Sequence, residues 1–193
     1  MRGTSTVRIW RDQALSENIL YFAYGSNLNQ EDLNDWKARK TEWRNTDLNL
    51  NKKSIGFLSG YRLGFTRISA SRENMGVADI VPSDAPMSRV WGVIFSLIDK
   101  QYKAIEAKEG FVGFGNAKNS YDQIKVQVTD AEGVEKPCFT YQAVVPDNNK
   151  RKSLYFRPSK KYYELIRKGG EDHELPREFF YHLKMVSEAS WVV

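Results

Sequence analysis

Two short segments carry the residue types and spacing that best suit chemistry. The first is Tyr24-Gly25-Ser26-Asn27-Leu28, where an apolar strand pattern stops at a glycine and a helix begins. Gly25 permits backbone geometry that other residues resist, and successive N–H groups in such a turn can converge on an anion. The start of the following helix adds partial positive charge, so a carboxylate is a natural guest. An ordinary strand-to-helix turn uses the same residues, and the pattern alone does not separate the two readings. The second segment is Glu109-Gly110, at the expected end of a short helix. A carboxylate there faces the negative end of the helix dipole, which disfavours ionisation. Partial burial would move its pKa further up, toward the range useful for proton transfer. Glu106, one helical turn earlier, is a rival for that role, and a solvated surface position suits either residue.

Other chemistries fit poorly. Ser26 is not framed as Gly-x-Ser-x-Gly, and neither His173 nor His182 is placed so that it can be identified as a triad base. The loop lacks the lysine and second glycine of a phosphate-binding P-loop. The two histidines do not share a helical face in the manner of a metal pair, and Cys138 is the only cysteine, so neither a disulfide nor a cysteine-rich metal cluster is expected. Cys138, between Pro137 and Phe139, has no activating base nearby in sequence and reads as structural. Tyr162 lies early in a predicted helix, where core packing is its bland explanation.

The elements that must position these groups follow from patterning. Ile19–Tyr24 reads as a buried strand, and Asn27 or Asn29 as the cap of a helix over 30–37, with Glu31 and Asp32 in its first turn. Residues 38–56 read as a long polar loop. Strands are expected over 61–68, 76–81 and 89–97, followed by a helix capped by Asp99 and ended by Gly110. Residues 121–129 alternate, with Ile124, Val126 and Val128 on one face, and pair with 139–145 across the turn at 131–133. Pro158-Ser159 opens a helix to about Arg167, ended by Gly169-Gly170, and Pro176 opens a last helix containing Phe179, Phe180, Leu183 and Met185. Strands that succeed one another without crossover helices argue for a mixed or mostly antiparallel sheet, closed into a small barrel, rather than a parallel one. The expectation is an α+β domain over 19–193 after a polar extension over 1–18.

The 193 residues suffice for one well-packed core. No apolar run approaches the ~20 residues needed to cross a bilayer. The first ten residues lack the apolar segment of a secretory signal, so a cytoplasmic protein is expected. The net charge of +5 is compatible with nucleic acid, an acidic surface or an anionic substrate. The basic residues fall in two groups, Lys37, Arg39, Lys40 and Arg44, then Lys150, Arg151, Lys152, Arg157, Lys160 and Lys161. Neither matches a nucleic-acid-binding signature, and both are read as solvated surface.

Taken in order, the segments resemble the γ-glutamyl cyclotransferase-like family, which includes AIG2-like proteins. Tyr21–Leu28 (YFAYGSNL) is similar to its strand and substrate loop, and residues 76–81 with 90–93 to its central strands. Glu109-Gly110 falls where the family has a catalytic Glu-Gly, and residues 158–162 and 169–176 resemble its C-terminal helical portion. The similarity spans about residues 19–186.

The resemblance implies a mostly antiparallel β-barrel flanked by helices and a cofactor-independent, metal-free carbon–nitrogen lyase or acyltransferase of the kind met in glutathione metabolism. In that reaction the α-amine of a γ-glutamyl group attacks its own side-chain amide, giving 5-oxoproline and a released amine. Glu109 becomes the catalytic acid/base; Tyr24, Gly25, Ser26, Asn27 and Leu28 hold the α-carboxylate and polarise the carbonyl; Tyr162 lines the same pocket. The partner implied is a small γ-glutamyl molecule, with no nucleic acid and no membrane; a homodimer is compatible with it. Residues 36–56 and 111–118 match nothing in the family pattern, and the tryptophans and basic residues of the first stretch are expected to shape the leaving-group side. A non-catalytic protein that binds a γ-glutamyl or similar carboxylate ligand on the same fold is the alternative.

Overall fold

The computed structural model describes residues 19–188; the extension expected over 1–18 lies outside them. Five strands close into a barrel, in the order Ile19–Ala23, Arg89–Leu97, Asn51–Ser59, Tyr121–Asp130 and Glu135–Ala143. β1 (Ile19–Ala23) runs antiparallel to β5 (Arg89–Leu97) and meets β7 (Glu135–Ala143) in parallel where Tyr21 faces Phe139. β2 (Asn51–Ser59) lies between β5 and β6 (Tyr121–Asp130), and β6 pairs with β7. β3 (Tyr61–Ser69) and β4 (Met75–Pro82) form a separate antiparallel ribbon. Among the described residues four helices flank the strands: α1 (Gln30–Ala38), α2 (Asp99–Glu109), α3 (Lys160–Asp172) and α4 (Arg177–Glu188). This is the mostly antiparallel α+β barrel that the patterning predicts.

Alternation explains which faces turn inward. On β6, Val126 and Val128 are buried while Lys125 and Gln127 are exposed, as a strand with one core face requires. The cluster that fills the molecule includes Phe22, Phe65, Ile80, Ile94, Ile105, Ile166 and Leu183, drawn from barrel, ribbon and helices alike. Each such side chain contributes about 1.5–3 kcal/mol by leaving water. The ribbon is fastened to the barrel by a buried polar knot. Asp79 of β4 is fully buried, accepts from Arg151 and Thr66 at 2.5 Å each, and accepts from the backbone N–H of Ala143 on β7 at 2.8 Å. Arg151, placed with the solvated basic groups by sequence, is therefore an interior residue.

Four local expectations change. The loop expected over 38–56 gives way to β2 from Asn51, because the first half of that strand is exposed and so carries no apolar alternation. α2 is capped at Ile98, whose N–H donates to the Gln101 side chain at 3.2 Å; Asp99 is its first residue and pairs with Lys103. β7 begins at Glu135 rather than Phe139, with Pro137 paired opposite Gln127. α3 runs through Gly169-Gly170 to Asp172, since both glycines serve close packing inside the helix and do not end it.

Candidate active site

The end of β1 delivers Tyr24 and Gly25 into a 3-10 turn, Ser26–Leu28, which leads directly into α1. Leu28 N donates to Gly25 O and Asn29 N to Ser26 O. The N–H groups of Ser26 and Asn27, ahead of those bonds, have no carbonyl partner within the turn, as at any helical start. Asn29 then caps α1 by accepting from Asp32 N at 3.0 Å. α3 presses on this loop through Gly169: a Cβ there would lie 2.7 Å from the backbone and side chain of Leu28 and 2.8 Å from Asn29 N. No side chain larger than hydrogen lets the helix come so near.

α2 brings Glu109 to the same place. It is the last helical residue, and Gly110 follows at φ 64, the left-handed conformation that ends the helix. Asn27 Nδ2 donates to Glu109 Oε1 at 2.6 Å and to the Tyr21 hydroxyl at 2.7 Å. Asn27 is 3% exposed, and its Oδ1 is buried without a hydrogen-bond partner. Glu109 is half-buried by area and opens toward a cavity of about 700 Å³, enclosed by protein on its other sides. Burial pushes its pKa above the usual carboxylate value, and Asp32 adds to the rise. Lys108, the Asn27 hydrogen bond and Arg72 act against it without cancelling it.

A compact ion cluster lies beside the carboxylate. Arg72 donates to both Asp32 oxygens at 2.7 Å, and Lys108 donates to Asp32 Oδ2 at 2.9 Å and to Ser26 Oγ at 3.4 Å. Burial works to raise the Asp32 pKa, yet Lys108 and Arg72 outweigh it and hold the carboxyl below its ordinary value. Arg72 also lies over the Tyr162 ring, 5.1 Å from its centroid. Tyr162 is buried, its hydroxyl accepts from Ala78 N at 3.3 Å, and burial pushes its pKa up to about 12. It stays a neutral phenol and a potential donor into the cavity at any ordinary pH.

The structure thus places Tyr24, Gly25, Ser26, Asn27, Glu109 and Tyr162 around one cavity. Tyr24 does so while its hydroxyl is committed to Tyr141 O at 2.6 Å. Leu28 does not line the cavity; it is 1% exposed and anchors the loop beneath α3. Glu106, the rival carboxylate, does not line it either. Trp36, Arg39 and Lys40 do line it, whereas the rest of the 36–56 stretch lies elsewhere. Sequence reasoning missed Tyr21, Asp32, Arg72, Lys108 and Tyr121. Lys108 adjoins Glu109 in sequence and offered one signal; Asp32 looked like a helix-start acid, and nothing local tied Arg72 to it across 40 residues. Among the described residues, no group of three or more His, Cys, Asp or Glu is arranged to hold a metal ion.

Such a site can hold an anionic or amide ligand against backbone N–H groups while one enclosed carboxylate exchanges protons with it. Residues 89–183 match the model of the AIG2-like family. The chain is 28% identical over 166 residues to γ-glutamylcyclotransferase from Bos taurus, covering 84% of this chain and 76% of the bovine protein. It is 26% identical over 178 residues to γ-glutamylcyclotransferase from Homo sapiens, covering 88% of this chain and 79% of the human one. The fold matches that of a solved γ-glutamyl cyclotransferase with a TM-score of 0.68 at 23% identity, over 92% of both chains. Family model, relatives and fold agree in what the chain is similar to, the AIG2-like, γ-glutamyl cyclotransferase-like family.

Proposed function

We propose that this protein is a γ-glutamyl cyclotransferase, an enzyme that releases 5-oxoproline and a free amine from a γ-glutamyl amide, and that Glu109 is its acid/base. One observation carries the reading: Glu109 and the Tyr24–Asn27 segment face one cavity and are bonded to each other through Asn27. In this reading the loop N–H groups and Ser26 hold the α-carboxylate, with the net positive Arg72–Asp32–Lys108 cluster beside them. The α-nitrogen then lies within reach of Glu109 Oε2, the oxygen not engaged by Asn27.

The chemistry asks little else. Glu109 removes a proton from the α-ammonium, and the amine attacks the γ-carbonyl carbon. A carbon–nitrogen bond forms to close the five-membered ring, and the amide bond to the leaving amine breaks. Glu109 returns its proton to the departing nitrogen and relays the second proton, which the ring nitrogen sheds on closure, so that the amine leaves as its ammonium, no water is consumed and the carboxylate is regenerated. Ring closure is intramolecular already, so fixing the reactive rotamer is the main gain from orientation. A positioned acid/base adds about 10²–10⁴-fold. An elevated Glu109 pKa suits both halves of the transfer, because the group must give its proton back as readily as it takes it. The proposal extends to a cytoplasmic setting and to a small γ-glutamyl molecule as partner.

A panel of γ-glutamyl amino acids and amines, assayed for 5-oxoproline, tests it. Release of 5-oxoproline from any member supports the enzyme. Calorimetric binding of a γ-glutamyl ligand that is never consumed would instead favour a carboxylate-binding protein on the same fold.

A further inference from the structure

The charge on the cavity wall exceeds what a γ-glutamyl group can balance. Five cations line the cavity: Arg39, Lys40, Arg67, Arg72 and Lys108. Arg72 and Lys108 share Asp32, which leaves that cluster one positive charge in excess. Ionised Glu109 answers the α-ammonium of the substrate, and one α-carboxylate, as the proposed function requires, neutralises the excess on the cluster. None of the ion pairs formed by the described residues includes Arg39, Lys40 or Arg67. Three cations therefore face the cavity without a carboxylate of their own among the described residues.

Arg67 is the least exposed of the three. It is half-buried on β3, donates to Ser120 Oγ at 3.0 Å, and lies over the Tyr121 ring at 5.8 Å. Ser120 N in turn donates to Gly110 O at 3.0 Å, so the guanidinium is tied to the residue that follows Glu109. That position borders the carboxylate that would protonate the departing nitrogen. Arg39 and Lys40 close α1 on the exposed rim, next to half-buried Trp36, whose ring supplies an apolar wall. An aligned guanidinium is suited to a carboxylate, and two further cations farther out suit a second one.

We infer that the preferred leaving group is an amine carrying two carboxylates, such as an acidic amino acid, read by Arg67 and by the Arg39–Lys40 rim. This rests on the cyclotransferase reading and adds to it the charge of the far end of the substrate. A substrate with an uncharged far end leaves the rim cations unpaired and gains nothing from them. An acidic one is also drawn in by the field of the cavity, an effect that salt weakens.

The test compares γ-glutamyl-glutamate, γ-glutamyl-glutamine and γ-glutamyl-alkylamides by kcat/KM for 5-oxoproline release. The inference expects γ-glutamyl-glutamate to exceed γ-glutamyl-glutamine by about tenfold or more, as a charge-assisted hydrogen bond warrants. The preference should shrink with added salt, shrink in the Arg39→Gln/Lys40→Gln variant, and fall toward unity or invert in Arg67→Glu. Equal turnover of acidic and neutral leaving groups overturns the inference and leaves the cyclotransferase reading intact. A preference that survives in both variants overturns the assignment to these residues. If no substrate yields 5-oxoproline, that reading fails on its own. Calorimetry with the same glutamate and glutamine dipeptides then decides the charge preference directly, a tighter glutamate complex supporting it and equal affinities overturning it.

Discussion

Asn27 and Glu109 are joined by a 2.6 Å hydrogen bond, and the same Asn27 nitrogen holds the Tyr21 hydroxyl at 2.7 Å. The loop that would hold substrate and the carboxylate that would move its proton are therefore one mechanical unit. The bond occupies Glu109 Oε1 and does not engage Oε2. It also stabilises the ionised carboxylate, against the burial that raises its pKa.

Replacing Asn27 by Ala should therefore do two things. Loss of the fixed orientation should lower kcat/KM by about 10- to 100-fold, the scale expected when a reacting group shifts by an ångström. Loss of a donor to the ionised form should raise the Glu109 pKa further, moving the acid limb of the pH–rate profile to higher pH. A profile that drops in height without moving would assign Asn27 to packing alone.

Glu109 should also cost the protein stability. Its folded pKa lies above its ordinary value of 4.5. As pH rises through 4.5 the unfolded chain releases this proton first, so folding stability falls until the folded pKa is passed. Glu109→Gln removes that ionisation, and at neutral pH its melting temperature should exceed that of the wild type. The gap should close below pH 4.5, which thermal melts across the acid range will show.

Asp32 behaves in the opposite sense. Its folded pKa lies below 3.8, so its contribution is complete above that value and is lost as pH falls through the folded pKa. Asp32→Asn leaves Lys108, 6% exposed, and Arg72, 21% exposed, without their shared partner. Uncompensated buried charge of this kind costs about 3–5 kcal/mol. Urea denaturation at neutral pH measures it, and a loss below 1 kcal/mol would show the cluster to be solvated.

Gly169→Ala tests the seat of the loop. The added methyl meets backbone of Leu28 and Asn29, which cannot rotate away, and overpacking of this kind costs about 1–3 kcal/mol. The loop should shift, and activity should fall more than stability does. Gly170→Ala meets the Phe179 ring first and should lose stability while keeping the geometry of the site.

How much of this was legible in the sequence follows from how far each signal reaches. β5 declared itself because a β-branched and aromatic run needs no partner to be recognised, and Gly110 because a helix needs a left-handed stop. The first half of β2 gave no sign, since its residues face water and its pairing partners lie far away in sequence. Gly169-Gly170 looked like a terminator because a glycine pair weakens a helix locally; that the gap admits Leu28 and Phe179 is known only in three dimensions. At the site, Glu109 and the loop were visible as types in context. Arg72 was not, because its reason for being there is Asp32 on another element.

The most direct test of the central claim is 5-oxoproline release by Glu109→Gln beside wild type, with substrate affinity measured by calorimetry. Wild type should release 5-oxoproline, and the variant should lose about 10²–10⁴-fold in kcat while staying folded and binding substrate within a few-fold. A Glu109→Gln enzyme that turns over at the wild-type rate would contradict the account.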